Sequence, residues 1–266
     1  MAKTCFLTTS LLFLATVFLN PAAPAAQESS YEKGLSWYEQ RAAEADSFRA
    51  HPKYINNAID AFEQALEKNI RYEKSGLYLL KSYYFKGMFT DIDKNEQKDV
   101  FGKGRDLGEK LEDRYSESAE IKFWYAANMG RWAKVHCFVA AATGGVAKKV
   151  RNMGEEISEL DKEYQGGGGY RILARAHFHS PKIPLLMNWP SDEKAMELVK
   201  EAMDIAPEHP SNRLLYAQLL MSFDRNEEAR EHLEYIRQIE PRPDYLIPDR
   251  YVKHRAEKAL NEKFGI

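Results

Sequence analysis

The chain has 266 residues, a formal net charge of -2, 44% hydrophobic and 29% charged residues. That is the composition of a soluble globular protein with a full core. The near-neutral charge, and the lack of a basic patch interleaved with aromatics, exclude a single-strand nucleic-acid binder. Residues 1–25 read as a secretion signal. Lys3 supplies the positive start, Phe6 to Leu19 a short apolar run, and Ala23-Pro24-Ala25 a small-x-small cleavage site. The run is short for a membrane span; an anchor that stays uncleaved is the other reading. Cys5 precedes the apolar run, so there is no lipobox cysteine, and the protein is expected to be periplasmic or secreted. Once the leader is removed Cys137 stands alone, which leaves no intramolecular disulfide.

From Tyr31 onward the periodicity is helical almost throughout. Tyr31, Leu35, Tyr38 and Ala42 share one face, His51-Pro52 marks a turn, and Ala58, Phe62 and Ala65 mark the next helix. Tyr72 to Lys86 is predicted as a helix stopped by Gly87. The polar run from Asp91 to Gln97 leads into a helix from Val100 to Tyr115. Glu117 to Lys134 is the most aromatic helix, and Val146 to Tyr164 is charged and amphipathic. Gly166 to Gly169 should interrupt helix, since each glycine costs about 1 kcal/mol there. Tyr170 to His179 forms a short helix before an insertion holding Pro181, Pro184 and Pro190. Ser191, Ser211 and Asn226 are expected as helix caps, and Asp249 to Phe264 as a terminal helix covering the last repeat.

The clearest regularity lies between Ser191 and Pro241. Ala195, Val199, Ala202 and Pro207 return 34 residues later as Ala229, Leu233, Ile236 and Pro241. Small residues let a second helix approach closely, and the proline reverses the chain. A period of about 34 residues with that placement is the tetratricopeptide signature. The expected fold is all-α: a tetratricopeptide-type helical-hairpin repeat superhelix forming one domain over 26–266. Its first repeat is 31–70, its diverged middle 71–165, its two C-terminal repeats 170–241 and its capping helix 249–264. Roughly four helix pairs are expected.

Catalytic patterns are missing from this sequence. Gly166 to Gly169 lacks the Lys-Ser/Thr of a phosphate loop, and there is no Ser-centred elbow or His-Glu-x-x-His. His177 and His179, two apart on a helix, point away from each other, and Cys137 reads as a small buried hydrophobe. No enzyme activity, metal or cofactor is expected. Arg171, Arg175 and His179, spaced i, i+4, i+8, form a basic row on one face of the Tyr170 helix, suited to carboxylate contact. Tyr125, Asn128 and Trp132 form a stripe on the aromatic helix that reads as core or as a pocket wall. Leu185, Leu186, Met187 and Trp189 form an apolar cluster expected to meet a protein partner or a sister subunit.

Phe123-Trp124-Tyr125-Ala126-Ala127, Gly130, the run Gly168 to Arg175, the proline-rich insertion and Asp192 to Ala195 together carry a resemblance. In that order they resemble the TatT-like T component of tripartite ATP-independent periplasmic (TRAP) transporters. They are also similar to the regulator of microtubule dynamics family. The resemblance implies an exported, non-enzymatic tetratricopeptide scaffold. It would form an oligomer, associate with a transporter substrate-binding subunit, and hold a small organic ligand in the repeats. A small-molecule binding protein acting alone, for an apolar or carboxylate ligand, is the second expectation.

Overall fold

The computed structural model describes residues 29–136, 145–180 and 189–266. The leader, Cys137, Leu185, Leu186 and Met187 lie outside that description. Within it the periodicity resolves into eleven α-helices and no strand. Helices α1 (Ser30–Glu39) and α2 (Pro52–Glu67) form the first hairpin, and α3 (Tyr72–Phe89) and α4 (Lys94–Arg114) the second. The third pairs α5 (Ala119–Val135) with α6 (Val146–Leu160), the fourth α7 (Gly168–His179) with α8 (Asp192–Ile205). Helices α9 (Pro210–Ser222) and α10 (Asn226–Gln238) make the fifth, and α11 (Leu246–Phe264) follows. The described residues thus make five pairs, not four, because the middle holds two long hairpins without the small-large-small landmark.

Each helix packs chiefly on its neighbours in sequence, as in a repeat array. The period marks its tightest seams: Ala195, Val199 and Ala202 of α8 and Ala229, Leu233 and Ile236 of α10 are all fully buried. Burying Leu233 or Ile236 contributes about 1.5–3 kcal/mol each.

Several local expectations change on contact with the structure. Ser191 does cap α8, its Oγ accepting the Lys194 amide at 3.1 Å. Ser211 does not cap α9. His209 takes that place, its Nδ1 accepting the Ser211 amide at 3.2 Å, with Pro210 at the first helical position, where its missing N–H is no loss. Asn226 already lies inside α10. Helix α3 runs past Gly87 to Phe89, with Gly87 facing the Phe101 ring. Helix α4 starts at Lys94, before the expected Val100, because Asp93 accepts the amides of Asn95 and Glu96 at 2.7 and 2.9 Å. Gly166 and Gly167 turn the chain with positive φ, yet Gly168 and Gly169 open α7. Gly169 is required there: a Cβ would sit 2.4 Å from Ser158 Oγ, so α7 crosses α6 at backbone contact.

The last helix does more than cover the last repeat. It packs on α9 and α10 and also reaches α3, and Ile247 is fully buried within the core of the first two hairpins. Phe48, ahead of α2, stacks on His254 with centroids 4.3 Å apart and meets Tyr251 at 5.8 Å. Arg41 donates to the Asp244 carbonyl at 2.6 Å, and Arg250 to the Ser47 carbonyl at 3.2 Å; each pair is 203 positions apart in sequence. The two ends of the array are therefore joined through α11.

Candidate binding site

Joining the ends converts the concave surface into a chamber of roughly 790 Å³. Its wall comes from the first helix of every hairpin (α1, α3, α5, α7 and α9), from the start of α6, and from α11 with the turn before it. Tyr38, Tyr78, Tyr84, Phe123, Trp124, Tyr245 and Tyr251 give it a largely aromatic lining. Tyr84 and Trp124 meet edge to face at 5.4 Å, a favoured aromatic geometry.

The charge on this wall is one-sided. Eight Lys or Arg side chains line it (Arg41, Lys81, Arg131, Lys134, Arg171, Arg175, Arg242, Arg255) against the carboxylates of Glu39, Asp244 and Asp249. Four of the eight are accounted for structurally. Arg41 joins the ends, Lys81 lies over the Tyr78 ring at 4.8 Å, and Arg242 forms a two-pronged pair with Asp249, whose side chain is only 4% exposed.

Arg171, the fourth, is buried and serves the loop before its own helix. It donates to the carbonyls of Gln165 and Gly166 at 3.1 and 3.3 Å and to Asn212 Oδ1 at 2.6 Å. Fully buried Asn212 then donates to the carbonyls of Gly166, Ala202 and Ala206 at 2.9, 2.8 and 3.2 Å. Burial, and next Arg175, pull the Arg171 pKa down to about 9, so it stays charged at neutral pH.

The other groups at the wall are perturbed by the same two causes. Burial first, then Arg131, lowers the Lys134 pKa, and the same order applies to Arg175. His179 is open to the chamber, and the wall packed around its ring, followed by Arg175, Lys134, Arg131 and Arg255, brings it to about 4. His209 falls to about 2, by burial and then by Arg171, Arg242 and Arg175. Burial would raise the Tyr251 hydroxyl, but the hydrogen bond from Arg255 and the charges of Arg131 and Lys134 leave it lowered. Both histidines are neutral at pH 7.

The family model of the tetratricopeptide repeat matches residues 193–246. Among solved structures, the chain is similar to a thermophilic TPR protein of Thermus thermophilus, with a TM-score of 0.56. The identity is 15%, and the match covers 87% of this chain and 97% of that one. The fold is a tetratricopeptide-repeat superhelix. No curated protein sequence matches this one.

The tetratricopeptide geometry sorts the residues singled out from sequence. Arg175 and His179 line the chamber, as does Arg171, whose guanidinium is occupied by Asn212 and the loop carbonyls. Tyr125, Asn128 and Trp132 lie on the opposite face of α5, away from the chamber. Tyr125 and Asn128 are buried against Gly108 and Gly104 of α4, and Asn128 donates to the carbonyls of Leu80 and Trp124 at 3.0 and 2.8 Å. Trp132 sits beneath the Arg105 guanidinium, 4.3 Å from its ring centre. The chamber face of α5 is carried by Phe123, Ala127, Gly130, Arg131 and Lys134 instead.

Trp189 is half-buried at the outside of the array, edge-on to His177 at 6.0 Å and beneath Arg151 at 5.7 Å. His177 accepts the Ser191 amide through Nδ1 at 3.2 Å while His179 faces the chamber, so the two diverge. Among the described residues no three of His, Cys, Asp and Glu converge as a metal site, and no helix is long and apolar enough to cross a membrane. Sequence reasoning missed Arg131, Lys134 and Arg255. The i, i+3 spacing of Arg131 and Lys134 was the available signal, on the face opposite the aromatic stripe.

Proposed function

We propose that this protein is an exported, non-enzymatic tetratricopeptide scaffold that holds a small organic ligand inside its closed superhelix and presents its outer faces to a protein partner. The fold itself belongs to a class of protein-interaction scaffolds. The observation that carries the ligand-holding reading is the closure by α11. An open repeat groove offers an extended concave binding surface, whereas this one is bridged from Phe48 to His254 and forms a half-open hollow of roughly 790 Å³. That volume is in the usual range for small-molecule sites, about 300–1,000 Å³. The resemblance to the T component makes a transporter substrate-binding subunit the natural partner, with assembly into a homo-oligomer alongside. A ligand-binding protein acting alone is the second reading, favoured by the same enclosure.

Affinity capture of the protein from its native envelope, with mass spectrometry of proteins and small molecules, tests this reading. A transporter substrate-binding subunit together with a small organic molecule is the expected result. The molecule without the subunit would support the solitary binder. A preparation with neither would count against both.

A further inference from the structure

Among the described residues four chamber cations have no carboxylate partner, and they gather at one place. Arg131 and Lys134 come from α5, Arg175 from α7 and Arg255 from α11, with His179 and Tyr251 among them. Three helices far apart in sequence thus deliver the same charge to one part of the wall. Arg255 donates to the Tyr251 hydroxyl at 3.3 Å, and among the described residues no carboxylate pairs with any of the four. Each lies close enough to perturb its neighbours' proton affinity: Lys134 responds to Arg131, Arg255 and Arg175, and Arg175 to Arg131 and Arg255. Arg131, Arg175 and Arg255 are half-buried while Lys134 is exposed to the hollow, so these like charges repel somewhat more than in open water. Arg41, Arg171 and Arg242 show how the same fold treats cations with a structural role, giving each a hydrogen-bonded acceptor.

We propose that Arg131, Lys134, Arg175 and Arg255 form an anion subsite for the doubly charged head group of an organic anion, a phosphomonoester or a dicarboxylate, whose apolar body lies along Tyr84 and Trp124. The proposal rests on the chamber reading above and names the class of ligand. Guanidinium forks match both carboxylate and phosphate oxygens. Four positive charges compensate two negative ones, and neutral His179 adds a hydrogen-bonding group without further repulsion.

The test is calorimetric titration of the purified protein at low salt with octyl phosphate, octylmalonate, octanoate and octanol. Both dianions should bind about tenfold or more tighter than octanoate, and octanoate tighter than octanol, since a charge-assisted contact is worth about that factor. The double variant Lys134→Gln/Arg175→Gln should weaken the better dianion about 100-fold, two such contacts being lost, while octanol binding stays as it was. The same variant should raise the Tm of the ligand-free protein, because repulsion is relieved; two structural residues would lower it. Preference for octyl phosphate over octylmalonate assigns the phosphomonoester, and the reverse assigns the dicarboxylate. Octanol binding as tightly as the dianions, or a double variant with unchanged dianion affinity, would overturn the anion subsite and leave the chamber reading intact. Binding by none of the four probes would overturn both.

Discussion

Asn212→Leu is expected to lower the unfolding free energy by about 3 kcal/mol, since leaving a buried hydrogen-bonding group unpaired costs about 1–3 kcal/mol and a charged one more. Leucine fills the space but accepts nothing from Arg171 and offers nothing to the carbonyls of Gly166, Ala202 and Ala206. Arg171 is only 7% exposed, so water replaces little of what its charge loses. Urea denaturation at unchanged m-value reads the loss as a shift in midpoint. Adding Arg171→Met to Asn212→Leu should restore part of it, because the stranded charge goes with the arginine. Simple additivity of the two losses would show that the pair is not a unit, and that Arg171 does something other than hold the glycine turn.

Asp249→Ala has the next largest expected effect, about 2 kcal/mol. Asp249 is 4% exposed, and its carboxylate accepts the Arg242 amide at 3.0 Å and both prongs of its guanidinium at 2.8 Å. Hydrogen bonds to a charged group contribute about 1.5–3 kcal/mol each when buried. The Arg242 side chain is 41% exposed and rehydrates once freed, which discounts the total. The pair fixes the turn from α10 into α11, so the loss should appear first as faster hydrogen exchange in α11. A change within about 0.5 kcal/mol, the range of an ordinary surface substitution, would remove the pair from the account.

The period was legible because it is local chemistry: Ala195, Ala202 and Ala229 sit where two helices must touch, and a fixed spacing repeats that need. The middle hairpins lack those small residues, and their helices approach through glycines instead, which read as breakers in sequence. Gly87 looks like a helix stop until the neighbouring Phe101 ring is in place, and Gly169 at the start of α7 behaves in the same way against Ser158. Helical spacing put Arg175 and His179 on one face correctly, since it follows from 3.6 residues per turn. It could not say which face of α5 turns inward. The aromatic stripe of Tyr125 and Trp132 drew attention, yet Gly104 and Gly108 of α4 capture that side and leave Arg131 and Lys134 facing the chamber. Closure by α11 was beyond reach, because contacts such as Arg250 to Ser47 join residues 203 apart with no local pattern to announce them.

Cross-linking across the seam between the first repeat and α11 tests the closed chamber most directly. In a Cys5→Ser/Cys137→Ser background, Phe48→Cys and His254→Cys put two thiols where the rings now stack at 4.3 Å between centroids. Treated with a short bifunctional thiol reagent, the monomer should be bridged within one chain, as read by peptide mass spectrometry. Thiols that each react singly, or link only between two chains, would contradict the closure and with it the chamber.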